Sequence, residues 1–200
     1  MMAGMNYEEM KAELKKRLKP SRYNHSLGVA DTAAKLARRF GIDEEKARLA
    51  GLLHDCARQF PNGDMIREAK ARGIEIGPIE ASMPLLLHAY IGAKLVKEVY
   101  GVEDEEIARA IHCHTVAGGG MTPLDKVIWY ADMIEPSRDY PEVEHLRELA
   151  RTASLDEMML TGLSESLVFV VRKNHLVHPD TVLARNELLL AGTGSQGMSR

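Results

Sequence analysis

Apolar residues recur at the three- and four-residue spacing of amphipathic helices along almost the whole chain, and the alternation typical of half-buried strands is nearly absent. Glycine and proline residues interrupt this pattern and mark the ends of the predicted elements. The pattern predicts helices over residues 7–18, 21–40, 43–58, 62–72, 84–100, 103–114, 123–135, 141–151, 154–174 and 179–190. We therefore predict an all-α fold.

The arrangement of these elements indicates one domain. A chain of 200 residues suits a single domain, and it contains no internal repeat. No internal stretch rich in proline, glycine or serine is long enough to be a linker. Residues 192–200 are rich in glycine and serine, which predicts a disordered tail. We expect the folded domain to cover residues 1–191.

Ionisable residues occur on five of the helical stripes that the pattern predicts to face the core. Burying an unpaired charge is costly, so each of these residues needs a partner or a ligand. Imidazole and carboxylate groups are usual ligands of iron, manganese, cobalt and zinc ions. The candidate metal ligands are His25, His54, Asp55, His88, His114 and Asp132.

Each of these residues alone also has an ordinary explanation. A lone inward histidine is more often a satisfied core residue than a ligand, and a lone buried aspartate can cap a helix or pair with an arginine. Six together favour a metal centre. On a helix, His54 and Asp55 point about 100° apart, so the histidine can serve one ion while the aspartate reaches between two. His112 is the contrast, because it lies on a polar stripe and faces away from His114.

Composition and charge exclude several classes of protein. The formal net charge is −3, so the basic excess of a general nucleic-acid binder is missing. No apolar run approaches the roughly 20 residues of a membrane span, and the first residues lack the apolar segment of a secretory signal. We expect a cytoplasmic protein with no membrane partner. Cys56 and Cys113 cannot form a disulfide framework, and we interpret both as buried apolar residues.

The candidate ligands follow the order H…HD…H…H…D, and in this order the chain resembles the HD superfamily of metal-dependent phosphohydrolases. Longer segments are similar to its YqeK-type branch, the bacterial symmetrical bis(5'-nucleosyl)-tetraphosphatases. These segments are RYNHSLGVADTAAKLA (22–37), AGLLHDCAR (50–58), LLLHAYIGA (85–93), AIHCHT (110–115), DKVIWYADMIEPSR (125–138) and RNELLL (185–190). The resemblance runs from residue 7 to residue 190.

The resemblance implies a single-domain helical bundle with a dinuclear metal site in its core. It implies two divalent ions, with iron first and manganese, cobalt or zinc as alternatives. The first ion would be held by His25, His54, Asp55 and Asp132, and the second by Asp55, His88 and His114, with Asp55 bridging. A metal-bound hydroxide would then cleave diadenosine tetraphosphate into two ADP, without a protein nucleophile.

Cationic and hydroxyl side chains near the motifs are candidate contacts for the substrate phosphates. Arg58 follows Asp55 by three residues, and we assign catalytic roles to both. The branch often has lysine at this position, and it often has Thr-Gly where this chain has Val116-Ala117. Further candidates are Arg22, Thr115, Lys126 and Arg138. Each of these could instead be a surface charge, an ion-pair partner or, for Thr115, a helix cap.

The sequence leaves other functions open. The metal ligands alone do not separate a dinucleoside polyphosphate hydrolase from a nucleotidase, a nucleoside triphosphatase or a cyclic-nucleotide phosphodiesterase of the same superfamily. A non-catalytic module that senses a nucleotide is a further alternative, disfavoured because such modules usually lose ligands. The expected partner is a nucleotide or dinucleoside polyphosphate, and a homodimer is compatible with the sequence. We read the Gly118–Gly120 segment as a plain loop and assign no role to His145, His175 or His178.

Overall fold

The computed structural model describes residues 5–194, and the side chains of residues 5–192. Helices dominate this part of the chain, and it contains no strand. The α-helices are α1 (Tyr7–Arg17), α2 (Pro20–Phe40), α3 (Glu44–Leu53), α4 (Met65–Ala71), α5 (Pro78–Ser82), α6 (Leu87–Tyr100), α7 (Glu105–Cys113), α8 (Pro123–Ile134), α9 (Val143–Thr152), α10 (Leu155–Arg172) and α11 (Pro179–Gly194). Short 3₁₀ helices cover Cys56–Gln59, Asn62–Asp64 and Pro84–Leu86. The prediction of an all-α fold is confirmed.

Capping side chains explain where several helices begin. Asn6, Thr122 and Ser154 form capping boxes, in which the side chain of the cap and that of the third helical residue each accept a backbone amide of the other. Asp43 and Asp104 accept amides of the first turns of α3 and α7. These five helices start within two residues of the positions that the sequence predicts.

The prediction of one continuous helix over residues 43–58 is wrong. The α-helix ends at Leu53, and Asp55 has φ −102° and ψ 15°, outside the helical region. The 3₁₀ helix Cys56–Gln59 follows, beginning with a bond from the Arg58 amide to the Asp55 carbonyl at 2.8 Å. The direction of the Asp55 side chain is therefore set by this turn and not by α-helical spacing.

Two further differences concern short or terminal elements. The helix α5 was not predicted, because the glycines and proline of residues 73–78 indicate a loop. Pro78 instead occupies the first helical position, where its missing amide costs nothing. The last helix continues through Gly194, and the rest of the tail predicted for residues 192–200 lies outside the described residues. The domain bounds 1–191 stay a prediction.

The central helix α2 packs against α3 and α8. Gly51 on α3 permits a very close approach, since a Cβ atom there would lie 2.9 Å from the Cα atom of Ala30 on α2. Real side chains do not tolerate such a contact with a neighbouring backbone, so glycine is required at this crossing. The close crossing brings the faces that carry His25 and His54 together. Among the described helices, none has the length and apolar character of a membrane span.

Candidate metal centre

The six candidate ligands come from separate segments and meet inside the bundle. They are His25 on α2, His54 and Asp55 after α3, His88 in the first turn of α6, His114 after α7, and Asp132 on α8. All are buried except Asp132, whose side chain is 20% exposed. Their ligand atoms form three overlapping groups, and within each group all atoms lie within 4.8 Å of one another. The structure thus brings together every ligand that the sequence predicts.

One group of atoms surrounds Nε2 of His25. This nitrogen lies 3.2 Å from Nε2 of His54 and 3.0 Å from Oδ1 of Asp132. Oδ2 of Asp55 lies 3.7 Å from Nε2 of His25 and 3.4 Å from Nε2 of His54. We call the cluster of His25, His54, Asp55 and Asp132 the first half-site.

A second group of atoms lies on the other side of the Asp55 carboxylate. The Nε2 atoms of His88 and His114 are 3.0 Å apart. Oδ1 of Asp55 lies 3.2 Å from the first of these nitrogens and 3.9 Å from the second. We call Asp55, His88 and His114 the second half-site. Because Oδ2 faces one half-site and Oδ1 the other, Asp55 spans both.

Main-chain carbonyl groups orient three of the four imidazole rings. Nδ1 of His54, His88 and His114 lies 2.7, 2.5 and 2.6 Å from the carbonyl oxygen three residues earlier. A carbonyl oxygen can only accept, so Nδ1 carries the proton and Nε2 presents its lone pair to the centre. Histidine ligands of metal ions are typically held in this way.

Glu135 orients the fourth ring, and sequence analysis missed it. Its Oε1 atom lies 3.0 Å from Nδ1 of His25, and its Oε2 atom accepts the Ser137 amide at 2.8 Å. Gly28 leaves room for this buried carboxylate, because a Cβ atom there would lie 2.6 Å from Oε2 of Glu135. The spacing of three residues from Asp132 was a signal in the sequence that could have pointed to it.

Both ligand carboxyl groups are ionised despite their surroundings. Burial favours the neutral form of Asp55, but the neighbouring His54 and His88 hold the pKa of that carboxyl well below its usual range. Burial likewise opposes the charge of Asp132, and contacts with His25 and His54 outweigh it and lower the pKa of Asp132. The centre therefore presents negative charge to a cation.

His54 in the first half-site and His114 in the second differ in proton affinity. Burial opposes the charged form of His54, yet the carboxylates of Asp55 and Asp132 outweigh it and raise its pKa above the ordinary value of 6.5. For His114, burial is the largest effect, and the charges of His88 and His54 add to it, so the pKa falls to about 3. His54 thus takes up a proton more readily than His114, which stays neutral.

Two of the predicted phosphate contacts pair with the ligand carboxylates. Nη1 of Arg22 donates to Oδ2 of Asp55 at 2.7 Å. Arg138 donates through Nε to the carbonyl oxygen of Asp132 at 2.7 Å and through Nη2 to its Oδ1. Both guanidinium groups are therefore at the rim of the centre, in the region where the sequence predicts them.

The three remaining predicted phosphate contacts, Thr115, Arg58 and Lys126, differ in their position relative to the metal centre. The Thr115 hydroxyl lies 3.1 Å from Nε2 of His114, at the second half-site. Arg58 is half-buried, and no described residue forms a hydrogen bond or ion pair with its side chain. Burial lowers the pKa of its guanidinium. The structure does not bring Lys126 to the centre, because its ammonium pairs with Asp156 at 2.5 Å and lines a separate pocket.

Neighbouring residues that could be mistaken for ligands point elsewhere. The Cys56 thiol is buried and lies 3.8 Å from the carbonyl oxygen of Gly92, and burial raises the pKa of the Cys113 thiol to about 11. His112 is exposed and stacks on Tyr90 with a centroid distance of 4.5 Å. None of these three enters the described groups of metal-ligating atoms.

A known family of proteins matches the part of the chain that contains this arrangement. The family model of the HD domain matches residues 22–158, a range that contains all six converging residues. This chain belongs to the HD domain family. The sequence-based recognition of the HD superfamily is therefore confirmed.

Relatives of this HD protein match it over nearly its whole length. The symmetrical bis(5'-nucleosyl)-tetraphosphatase of Bacillus subtilis is 42% identical, over 92% of this chain and 98% of its own. The enzyme of the same name from Halalkalibacterium halodurans is 38% identical, over 88% and 94%. A crystal structure from Clostridium acetobutylicum, of a predicted HD superfamily hydrolase involved in NAD metabolism, has a TM-score of 0.89 at 38% identity and covers 94% of this chain and 100% of that one. These matches confirm the single-domain HD fold.

Proposed function

We propose that this protein is a metal-dependent phosphohydrolase that cleaves diadenosine tetraphosphate symmetrically into two ADP. The observation that carries the proposal is the Asp55 carboxylate, whose two oxygens face two separate groups of histidine nitrogens. The reaction follows the names of three relatives at 37–42% identity, each called a symmetrical bis(5'-nucleosyl)-tetraphosphatase.

The donor atoms suit two divalent ions. We assign His25, His54, Asp55 and Asp132 to one ion, and Asp55, His88 and His114 to the other. Metal binding needs an imidazole nitrogen with a free lone pair and an ionised carboxylate group. The hydrogen bonds at Nδ1 leave Nε2 as the nitrogen that faces the centre, and the lowered pKa of Asp55 keeps its carboxyl group ionised. A set of nitrogen and oxygen donors suits iron, manganese, cobalt and zinc, and we propose iron as the native ion.

Side chains around the centre would bind and orient the phosphates. Two divalent ions held by these six residues would supply a water of lowered pKa and would offset charge on the phosphoryl oxygens. Arg58 has no partner among the described residues, so its guanidinium is free to contact the phosphate that is attacked. The Thr115 hydroxyl can donate to a phosphoryl oxygen on the side of the second half-site. Arg138 holds Asp132 in place, and Arg22 can turn from Asp55 to a phosphate.

The products of hydrolysis test this proposal directly. Metal-loaded protein is incubated with diadenosine tetraphosphate, and the nucleotides are separated by chromatography. We expect ADP as the only product, and we expect its loss in His114→Ala. His112→Ala is the matched control, because this histidine is two residues away and exposed, so its activity should match that of the wild type.

Other product patterns would contradict the proposal. ATP together with AMP would mean that a different phosphorus is attacked. No product from protein with both ions bound would favour another nucleotide substrate, cleaved as by a nucleotidase, a nucleoside triphosphatase or a cyclic-nucleotide phosphodiesterase, or a module that only senses a nucleotide. Titration with each nucleotide, followed by calorimetry, separates these two alternatives.

We further propose that the protein acts in the cytoplasm. We also propose that it forms a homodimer. Val168, Phe169 and Val171 are 47%, 58% and 63% exposed near the end of α10, and Val182 and Leu183 are 38% and 47% exposed on α11. Exposed apolar side chains of this kind mark surfaces that a partner covers. Light scattering should give a dimer for the wild type and a monomer for Phe169→Asp, and a monomeric wild type would refute this assembly.

A further inference from the structure

A pocket of about 540 Å³ opens beside the metal centre, between the start of α2 and the segment that follows Asp55. Its walls include Arg17, Lys19, Arg22 and Arg58, and none of the residues that line it is acidic. These four basic side chains give the concave surface a positive potential, although Arg17 pairs with Glu13 and Arg22 pairs with Asp55 outside the lining. Such a surface attracts a polyanion.

Arg22 and Arg58 connect the pocket with the metal centre. Arg22 belongs to the wall of the pocket and its Nη1 atom also lies 2.7 Å from Oδ2 of Asp55. Arg58 stands three residues after Asp55 and reaches the pocket from the same 3₁₀ turn. A phosphate chain bound at the half-sites can therefore extend into the pocket past these two guanidinium groups.

The cations of the pocket are only partly neutralised. Arg17 pairs with Glu13 at 2.7 Å and donates to the side-chain oxygen of Gln59 at 3.1 Å. The side chains of Lys19 and Arg58 form no hydrogen bond or ion pair with any described residue. In addition, α2 begins at Pro20 without a side-chain cap, and the residues of its first turn line the pocket. The first turn of α2 adds the positive end of a 21-residue helix.

An aromatic side chain completes the pocket. Phe60 lies in its wall, at the end of the 3₁₀ helix that begins just after Asp55. Aromatic side chains stack on nucleobases with little dependence on base identity. The pocket thus combines groups that suit both parts of a nucleotide, namely cations for the phosphates and a phenyl ring for the base.

We propose that this pocket binds the second nucleoside diphosphate half of the substrate, the half that departs when the central phosphoanhydride is cleaved. The inference rests on the proposed function. In the reaction, the oxygen of water bonds to one central phosphorus and the bond from that phosphorus to the bridging oxygen breaks. The bridging oxygen leaves with the other ADP, and the two protons of water pass to solvent. The cations of the pocket stabilise the charge that this leaving group gains.

The test counts ADP molecules bound to the metal-loaded protein by calorimetry. The wild type should bind two ADP per chain, one at the half-sites and one in the pocket, whereas Lys19→Glu combined with Phe60→Ala should bind one. The same variant should raise KM for diadenosine tetraphosphate by about a hundredfold, from the loss of one charge-assisted contact and one stacking contact. Lys35→Glu is the control, because this lysine is exposed on the same helix and lies outside the pocket.

Lys19→Glu alone guards against a misfolded variant, since Lys19 is exposed and an acidic residue at the start of a helix stabilises it. This single variant should weaken binding of the second ADP while the metal content stays that of the wild type. If both variants bind two ADP and keep the KM of the Lys35→Glu control, the pocket proposal is refuted. ADP production by the wild type would then still support the proposed function, so the two failures are distinguishable.

Discussion

The second half-site is held by the main chain, whereas the first depends on other side chains. His88 and His114 each bond to a carbonyl of their own turn, so the fold of the helix fixes both rings. In the first half-site, His25 relies on Glu135, and Asp132 is held by Arg138. Within the first half-site, only His54 donates to a main-chain carbonyl, as His88 and His114 do. Substitutions that leave every ligand intact should therefore weaken the first half-site more than the second.

We expect the largest effect from a substitution of Asp55, the residue that the two half-sites share. Asp55→Ala should abolish tight binding of both ions and lower kcat/KM by more than about a hundredfold. Loss of a residue that only orients a metal ligand typically costs up to about a hundredfold, and loss of a shared ligand should cost more. Elemental analysis and initial rates measure the two effects. Asp139→Ala, at an exposed aspartate, is the matched control. Retention of both ions by Asp55→Ala would show that Asp55 does not bridge them.

Removal of Glu135 should weaken the first half-site and leave the second unchanged. Glu135→Ala takes away the acceptor of Nδ1 of His25, so the affinity for the first ion should fall by about 10- to 100-fold while the second ion stays bound. Competition with a chelator measures both affinities. Glu135→Gln keeps an acceptor oxygen and should recover most of the loss, and Glu148→Ala is an exposed control. An equal loss of both ions would contradict the difference between the half-sites.

A smaller effect is expected at the crossing of α2 and α3. In Gly51→Ala, the new Cβ would lie 2.9 Å from the backbone of Ala30, so the helices must separate. We expect the free energy of unfolding in urea to fall by about 1–3 kcal/mol, together with weaker binding at the first half-site. Gly63→Ala is the control, because a Cβ there meets no atom within 4 Å. Equal stability of the two variants would mean that the crossing tolerates a side chain.

The smallest effect concerns acidification. Because the pKa of His54 is raised above 6.5, protons compete for the first half-site as the pH falls through that raised value. The pKa of His114 is lowered to about 3, so this histidine does not take up protons in the same range. In a titration from about pH 8 to about pH 5, we expect the first ion to dissociate before the second. Simultaneous loss of both ions would argue against this order.

Helical periodicity singled out the six candidate ligands that converge in the structure, because each of them interrupts an apolar stripe, a signal that depends only on local sequence. It could not predict the turn at Asp55, since the apolar run through Leu53 continues the helical pattern past the point where the backbone changes. This turn is what lets the Asp55 oxygens face both half-sites.

The side chains outside the ligand set were harder to predict. Glu135 precedes a proline at the end of α8, so its pattern resembles that of a solvated helix end, and only its contact with His25 on another helix shows its role. Lys126 shares a helix with Asp132, yet its ammonium pairs with Asp156, thirty residues after Lys126, and does not lie at the centre. Both outcomes depend on packing between helices, which spacing within one helix does not contain.

Anomalous diffraction from crystals loaded with manganese tests whether Asp55 joins two metal ions. We expect two peaks about 3.5–4 Å apart, one beside each oxygen of Asp55, with His25 and Asp132 at one peak and His88 and His114 at the other. A single peak, or a pair of peaks that Asp55 does not join, would contradict a dinuclear centre bridged by Asp55.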